Sequence, residues 1–115
     1  MNEAKHAVVL ITVSGAEEAR KVAGVLLEQR QAACVNIVPG VSSRYWWEGK
    51  LEDATESLLI VKTRADAVPE VVRLVKETHS YSVPEIIALP VIGGNPDYLD
   101  WLDRETGQGG GGHQR

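Results

Sequence analysis

A chain of 115 residues, 43% hydrophobic and 24% charged, has the composition of an ordinary globular protein and the length for one core. Its formal net charge of −4, with no cluster of Lys and Arg, argues against a nucleic-acid binder, which would carry a basic face. The longest apolar runs (AVVLITV, LLIV) are too short to cross a bilayer, and the first six residues lack the form of a secretory signal. The single cysteine, Cys34, excludes an intrachain disulfide, and these features together indicate a reducing cytoplasm.

Residues 6–13 (HAVVLITV) are apolar on both faces and rich in β-branched side chains, the pattern of a central strand. Ser14 and Glu17 have capping-box spacing, and a helix is expected over residues 16–30 with Ala19, Val22, Ala23 and Leu26 on its buried face. Residues 32–63 read as two long strands joined by a tight turn at Glu48-Gly49-Lys50. The first strand, roughly 15 residues at about 3.3 Å each, would reach on the order of 50 Å, against a radius of gyration of about 13 Å for a 100-residue domain. The hairpin is therefore expected to project from the body as an arm. Ala33, Val35, Ile37, Val41, Tyr45 and Trp47 occupy odd positions, as on a strand with one buried face, and Pro39-Gly40 interrupts the ladder in the manner of an edge strand. The return strand carries Lys50, Glu52, Asp53 and Glu56 near the turn and becomes fully apolar at Leu58-Leu59-Ile60-Val61. Its outer half is expected to be wet or partner-facing, and its inner half central.

Asp66 is placed to cap a second helix over residues 67–78, with Pro69 in the first turn and Val68, Val71, Val72 and Val75 along one face. Residues 79–85 (HSYSVPE) form a loop and residues 86–92 a short strand, which Pro90 again marks as an edge before Gly93-Gly94 breaks it. Asn95 caps a third helix with Pro96 at its first position and Tyr98, Trp101 and Leu102 as its apolar face. Residues 107–115 (GQGGGGHQR) have the composition of a flexible tail, so one domain is drawn over residues 1–106. The order β-α-β-β-α-β plus a terminal helix is that of an α+β, ferredoxin-like split βαβ sandwich, with strands one and three central and strands two and four at the edges. Two helices cover one face of such a sheet and leave the other bare, and a bare apolar face needs a partner.

Four stretches, AACVNIVPGVSSRYWWEGKLE, ESLLIVKT, HSYSVPEIIALPV and GNPDYLDWL, resemble the CutA divalent-cation-tolerance family, and the similarity runs from about Val8 to Leu102. The resemblance implies a ferredoxin-like fold, a compact homotrimer built by pairing edge strands between subunits, copper binding with tolerance of divalent metals, and no catalytic activity. It also brings a link between animal relatives and the anchoring of acetylcholinesterase. A trimer of this kind is expected to be thermostable, because association adds to the stability of each subunit. Some members take copper ligands from a first-strand cysteine and from a His-His pair before Pro-Tyr. Here Ile11 stands at the first position and Thr78-His79-Ser80-Tyr81 at the second, so only His79 of that set is present, and one imidazole does not make a tight metal site.

Chemistry is sought first at His79 and Glu85, which flank a loop with Tyr81. An imidazole and a carboxylate can hold a divalent cation such as copper, and hydrogen bonds that merely orient the fourth strand are the plainer alternative. Cys34 offers either a soft thiolate or a small buried side chain. His6 and His113 lie in the terminal segments, where His113 could bind metal adventitiously. Tyr45, Trp46 and Trp47 are expected as anchors at the trimer interface rather than as a stacking platform. Successive strand residues face opposite ways, so Trp46 and Trp47 are not expected to serve one pocket. Lys62, Tyr81 and Trp47 are candidates for a ligand cleft at a subunit junction. Residues 40–44 (GVSSR) share lettering with the phosphate turn of acylphosphatases but fall in an extended strand with no helix after it. No Ser/His/Asp set, Walker loop, CxxC or HExxH is present. The expected function is that of a homotrimeric, non-catalytic metal-binding protein. Two alternatives stay open: a nucleotide or metabolite sensor resembling PII signalling proteins, with intersubunit clefts, and a purely structural assembly module. The expected partners are further copies of the chain and a metal ion or small ligand, with no nucleic acid and no membrane.

Overall fold

A computed structural model describes residues 3–107. The elements are β1 (His6–Val13), α1 (Ala16–Glu28), β2 (Cys34–Trp47), β3 (Lys50–Arg64), a 3-10 turn (Ala65–Ala67), α2 (Val68–Thr78), β4 (Ile86–Val91) and α3 (Pro96–Glu105). All strand pairs are antiparallel and the sheet order is β2-β3-β1-β4. The two all-apolar runs are thus central, and Pro39 and Pro90, which cannot donate to a ladder, lie in the edge strands. This is the ferredoxin-like α+β arrangement.

Alternation along β1 buries Ala7, Val9, Ile11 and Val13. With Leu59 and Val61 of β3 they pack against Ala19, Val22, Ala23 and Leu26 of α1 and Val71, Leu74 and Val75 of α2. On α2 it is Leu74, not Val72, that completes the buried stripe, because i, i+3, i+4 from Val71 reaches residues 74 and 75. Other boundaries also differ from expectation. Helix α1 stops at Glu28: Arg30 takes a left-handed φ of 58°, and Gln31 N–H closes on the Leu26 carbonyl. Asp66 does not cap α2; a 3-10 turn intervenes, and the carboxylate pairs with Arg64 at 3.1 Å. Ile92 lies outside β4. Asn95 does cap α3, accepting from Asp97 N–H at 3.0 Å with Pro96 next. Helix α3 meets the sheet at the His6 end, where His6 Nε2 and Asp103 Oδ1 are 2.9 Å apart.

The arm is where the sequence pattern and the structure part. Glu48 (φ 52°) and Gly49 (φ 80°) form a two-residue turn, and Lys50 already belongs to β3. Val38 pairs with Leu58 but Val41 with Glu56, so three steps on β2 match two on β3. This is a β-bulge, and Gly40 at φ +71° supplies the left-handed residue it needs. Val35 and Ile37, before the bulge, oppose Val61 and Leu59 on the helix side of the sheet. Val41, Tyr45 and Trp47, after it, oppose Glu56, Glu52 and Lys50 on the other side. The odd positions therefore do not form one buried face. Beyond the bulge the side chains stand open: Trp46 is 73% exposed and Trp47 43%. The described residues extend 48 × 33 × 22 Å, and their radius of gyration of 14.9 Å reflects the projecting hairpin.

Candidate functional site

The loop after α2 folds back onto the end of β1 through His79. Its side chain is fully buried, and its Nε2 lies 2.7 Å from the Thr12 carbonyl oxygen. A carbonyl only accepts, so Nε2 carries the proton and donates; Nδ1 then accepts from Tyr81 N–H at 3.0 Å. Both ring nitrogens are thereby engaged by backbone groups, and the ring stacks obliquely on Tyr81 with centroids 4.7 Å apart.

Glu18 ties this loop to the start of α1. Its Oε1 accepts from Ser14 N–H (3.0 Å), Ser14 Oγ (2.7 Å) and Ser80 Oγ (3.1 Å), and its Oε2 from Ser80 N–H (2.6 Å). Burial pulls the Glu18 carboxyl upward, but these bonds from Ser14 and Ser80 outweigh it and hold the group down from 4.5 to about 2. The capping-box spacing thus misplaces the partner of Ser14, which is Glu18 and not Glu17. The structure also selects Glu18 because it alone reaches Ser80.

Between the arm and this loop runs a groove of about 840 Å³. Residues 42–47 of β2 wall one side and residues 81–85 the other, with Thr12 and Glu56 exposed to it from the sheet. Tyr81 donates its hydroxyl to Glu56 Oε2 at 2.8 Å. Burial, and then the Glu56 carboxylate beside it, push Tyr81 up to about 12. Thr12 Oγ1 donates to Glu85 Oε1 at 3.4 Å, so Thr12 bonds both His79 and Glu85.

Of the sequence-derived candidates, Tyr45, Trp46, Trp47, Tyr81 and Glu85 all line this groove. Both tryptophans border it, contrary to the expectation that alternation would separate them: on an edge strand the ring of the outward residue still rims the cavity. Lys62 lies elsewhere. It opposes Cys34 across the ladder and gives its ammonium to Asn36 Oδ1, which also lies 4.0 Å from Cys34 Sγ. Tyr98 of α3 completes that cluster; burial and then Cys34 shift its hydroxyl upward. His6 is committed to Asp103, and His113 lies outside the described residues. Among the described residues no three His, Cys, Asp or Glu side chains gather as a metal site. The residues that sequence reasoning missed are Glu56, read as part of a wet, charged stretch, and Glu18 and Thr12, whose partners are distant in sequence.

The family model described as "CutA1 divalent ion tolerance protein" matches residues 7–105. The chain belongs to that family. A CutA1-family relative from Thermus thermophilus, a divalent-cation tolerance protein, is 54% identical over 100 residues, covering 87% of this chain and 97% of the relative. The chloroplastic protein from Oryza sativa is 50% identical over 99 residues, 86% of this chain, which spans only 56% of that relative's length. The crystal structure of CutA1 from Oryza sativa superposes with a TM-score of 0.88 at 46% identity, covering 92% of this chain and 97% of that one. No helix among the described residues is long and apolar enough to cross a membrane.

Proposed function

We propose that this CutA1-family chain serves divalent-cation tolerance as a cytoplasmic, non-catalytic homotrimer. In this reading the arms dock on neighbouring copies, and a divalent cation such as copper is held at Glu85, with its remaining ligands supplied across a subunit junction. The observation that carries the reading is the arm: Tyr45, Trp46, Trp47 and Leu51 stand exposed on a projecting hairpin, and a monomer gains nothing from displaying them. His79 enters as the residue that fixes the loop, because both its nitrogens are spent within the chain. Glu85 is the exposed carboxylate of that loop, and a single carboxylate needs further donors to hold a metal. The unpaired Cys34 supports placement in a reducing compartment.

Sedimentation velocity at micromolar concentration tests the assembly. The wild-type chain is expected to run as a trimer, and Trp47→Ala is expected to shift it toward smaller species; a wild-type monomer refutes the proposal. Calorimetric titration with Cu(II), in a His113→Ala background to remove the tail imidazole, is expected to show binding that Glu85→Gln abolishes. Absence of heat in the parent refutes the metal reading. The groove itself favours a second reading, a small-molecule sensor of the PII kind, since its 840 Å³ lies within the range of about 300–1,000 Å³ typical of ligand sites.

A further inference from the structure

Helix α3 is the helix least secured by the core. Leu102 is its buried apolar residue, and it stands outside the cluster that joins the sheet to α1 and α2. A helix of 10 residues is too short to persist on propensity alone. Much of its hold comes from polar contacts. Asn95 caps the start, and Asp103 pairs with His6 along the flank.

The far end of α3 meets three unusual features. The turn after α1 closes as a Schellman motif, with Arg30 N–H on the Leu27 carbonyl (3.1 Å) and Gln31 N–H on that of Leu26 (2.9 Å). Arg30 fills its left-handed position at φ 58°, where glycine is usual because a Cβ is disfavoured. What arginine brings there is a grip on α3. Its Nη1 donates to Glu105 Oε1 at 2.8 Å, and its carbonyl accepts from Gly107 N–H at 2.9 Å. Gly107 is itself left-handed, at φ +86°, and lies against the Arg64 guanidinium: an added Cβ would stand 2.5 Å from Arg64 Cζ. Arg64 pairs with Asp66, while its Nε is buried without a hydrogen-bond partner among the described residues. A disfavoured backbone, a glycine with no room for a Cβ beside it and an unsatisfied buried N–H thus gather at one point. The Arg30–Glu105 pair is half-exposed and contributes little alone, so the backbone bond and the packing on Gly107 share the load.

We propose that α3 is a strap across the His6 end of the sheet, and that Arg30, Glu105, Gly107 and Arg64 form its buckle. The buckle, rather than apolar burial, sets how often α3 lifts away while the remainder stays folded. The contacts lie within one chain, so the device is independent of metal binding.

The test is hydrogen exchange read by mass spectrometry on the full chain in its native oligomeric state. A peptide covering residues 96–107 is compared with one covering residues 68–78 of α2. Arg30→Gly is the decisive variant, because it relieves the left-handed backbone and removes the side-chain grip at once. Exchange in residues 96–107 is expected to quicken by about threefold or more, with residues 68–78 unchanged. Gly107→Ala is expected to quicken the same peptide by about tenfold, since it strains the backbone and displaces Arg64. Unchanged or slower exchange of residues 96–107 in Arg30→Gly overturns the proposal, for Arg30 would then be only a strained turn residue. So does a Gly107→Ala variant whose α3 exchanges as in wild type, and so does an equal acceleration of both peptides, which would mean a loss of global stability. Should either variant fail to fold, Glu105→Gln takes its place: quicker exchange confined to residues 96–107 supports the buckle, and exchange as in wild type overturns it.

Discussion

Replacing Glu18 by Gln should expose how strongly one buried carboxylate fastens the 79–85 loop to the body. The wild-type group is held at about 2 against 4.5 in the unfolded chain, and its side chain is only 11% exposed. The fall from 4.5 to about 2, at about 1.36 kcal/mol per tenfold change in proton affinity, gives on the order of 3 kcal/mol. The folded pKa is the depressed one. The stabilisation is therefore complete above the unfolded value and is lost as pH falls from 4.5 toward about 2. Glutamine keeps an acceptor but loses the charge, and its amide turns a donor toward groups that are themselves donors. At neutral pH the variant should be less stable by about 2–3 kcal/mol. The gap should close on acidification, because wild type surrenders its advantage there and the variant has none to lose. Urea unfolding followed by tryptophan fluorescence at one fixed protein concentration, from about pH 7 to about pH 2.5, measures both quantities. A gap that persists unchanged in acid, or one below about 0.5 kcal/mol at neutral pH, would refute the reasoning.

Two glycines make a contrasting pair in thermal unfolding. Gly24, within α1 and with nothing within 4 Å of an added Cβ, should accept alanine with a gain of about 0.5–1 kcal/mol. Gly40 is equally uncrowded but sits at φ +71°, so alanine there should cost about 1–2 kcal/mol from backbone strain alone. Tyr81→Phe removes the hydrogen bond to Glu56 and should lower stability by about 1–3 kcal/mol in the same assay; an unchanged midpoint would mean that water replaces the hydroxyl without loss.

Much of the fold was legible because it rests on signals local to the chain. Runs apolar on both faces marked β1 and the inner half of β3 as central, prolines marked β2 and β4 as edges, and Asn95-Pro96 fixed the start of α3 to the residue. The candidate site was less legible, since it depends on distant partners. Glu17 and Glu18 are equally plausible beside Ser14 until Ser80, 62 residues beyond Glu18, is brought against the helix. His79 carries the letters of a ligand, yet backbone groups of Thr12 and Tyr81 claim both nitrogens. Lys62, which ends the apolar run of β3, was expected to meet the loop at a subunit junction; within the chain the ladder sets it opposite Cys34, away from the groove. Glu56 was hidden by a phase change: without the register between β2 and β3, nothing tells whether it shares a face with Tyr45 or with Trp46.

The extra residue at Gly40 has an effect on shape that the pairing alone does not convey. Val41 stands opposite Glu56 with the bulge, and a chain shortened by one residue at that point would bring the same two residues opposite one another in a regular ladder. The insertion is thus neutral with respect to which side chains meet. Its effect is curvature, because a bulge bends its strand and tightens the local twist. Gly40 marks the point from which the outer hairpin is bent relative to the inner half of the sheet, and residues 42–47 beyond it form one wall of the groove. A regular ladder would keep every cross-strand neighbour, so what the extra residue changes is the path of the strand that carries this wall.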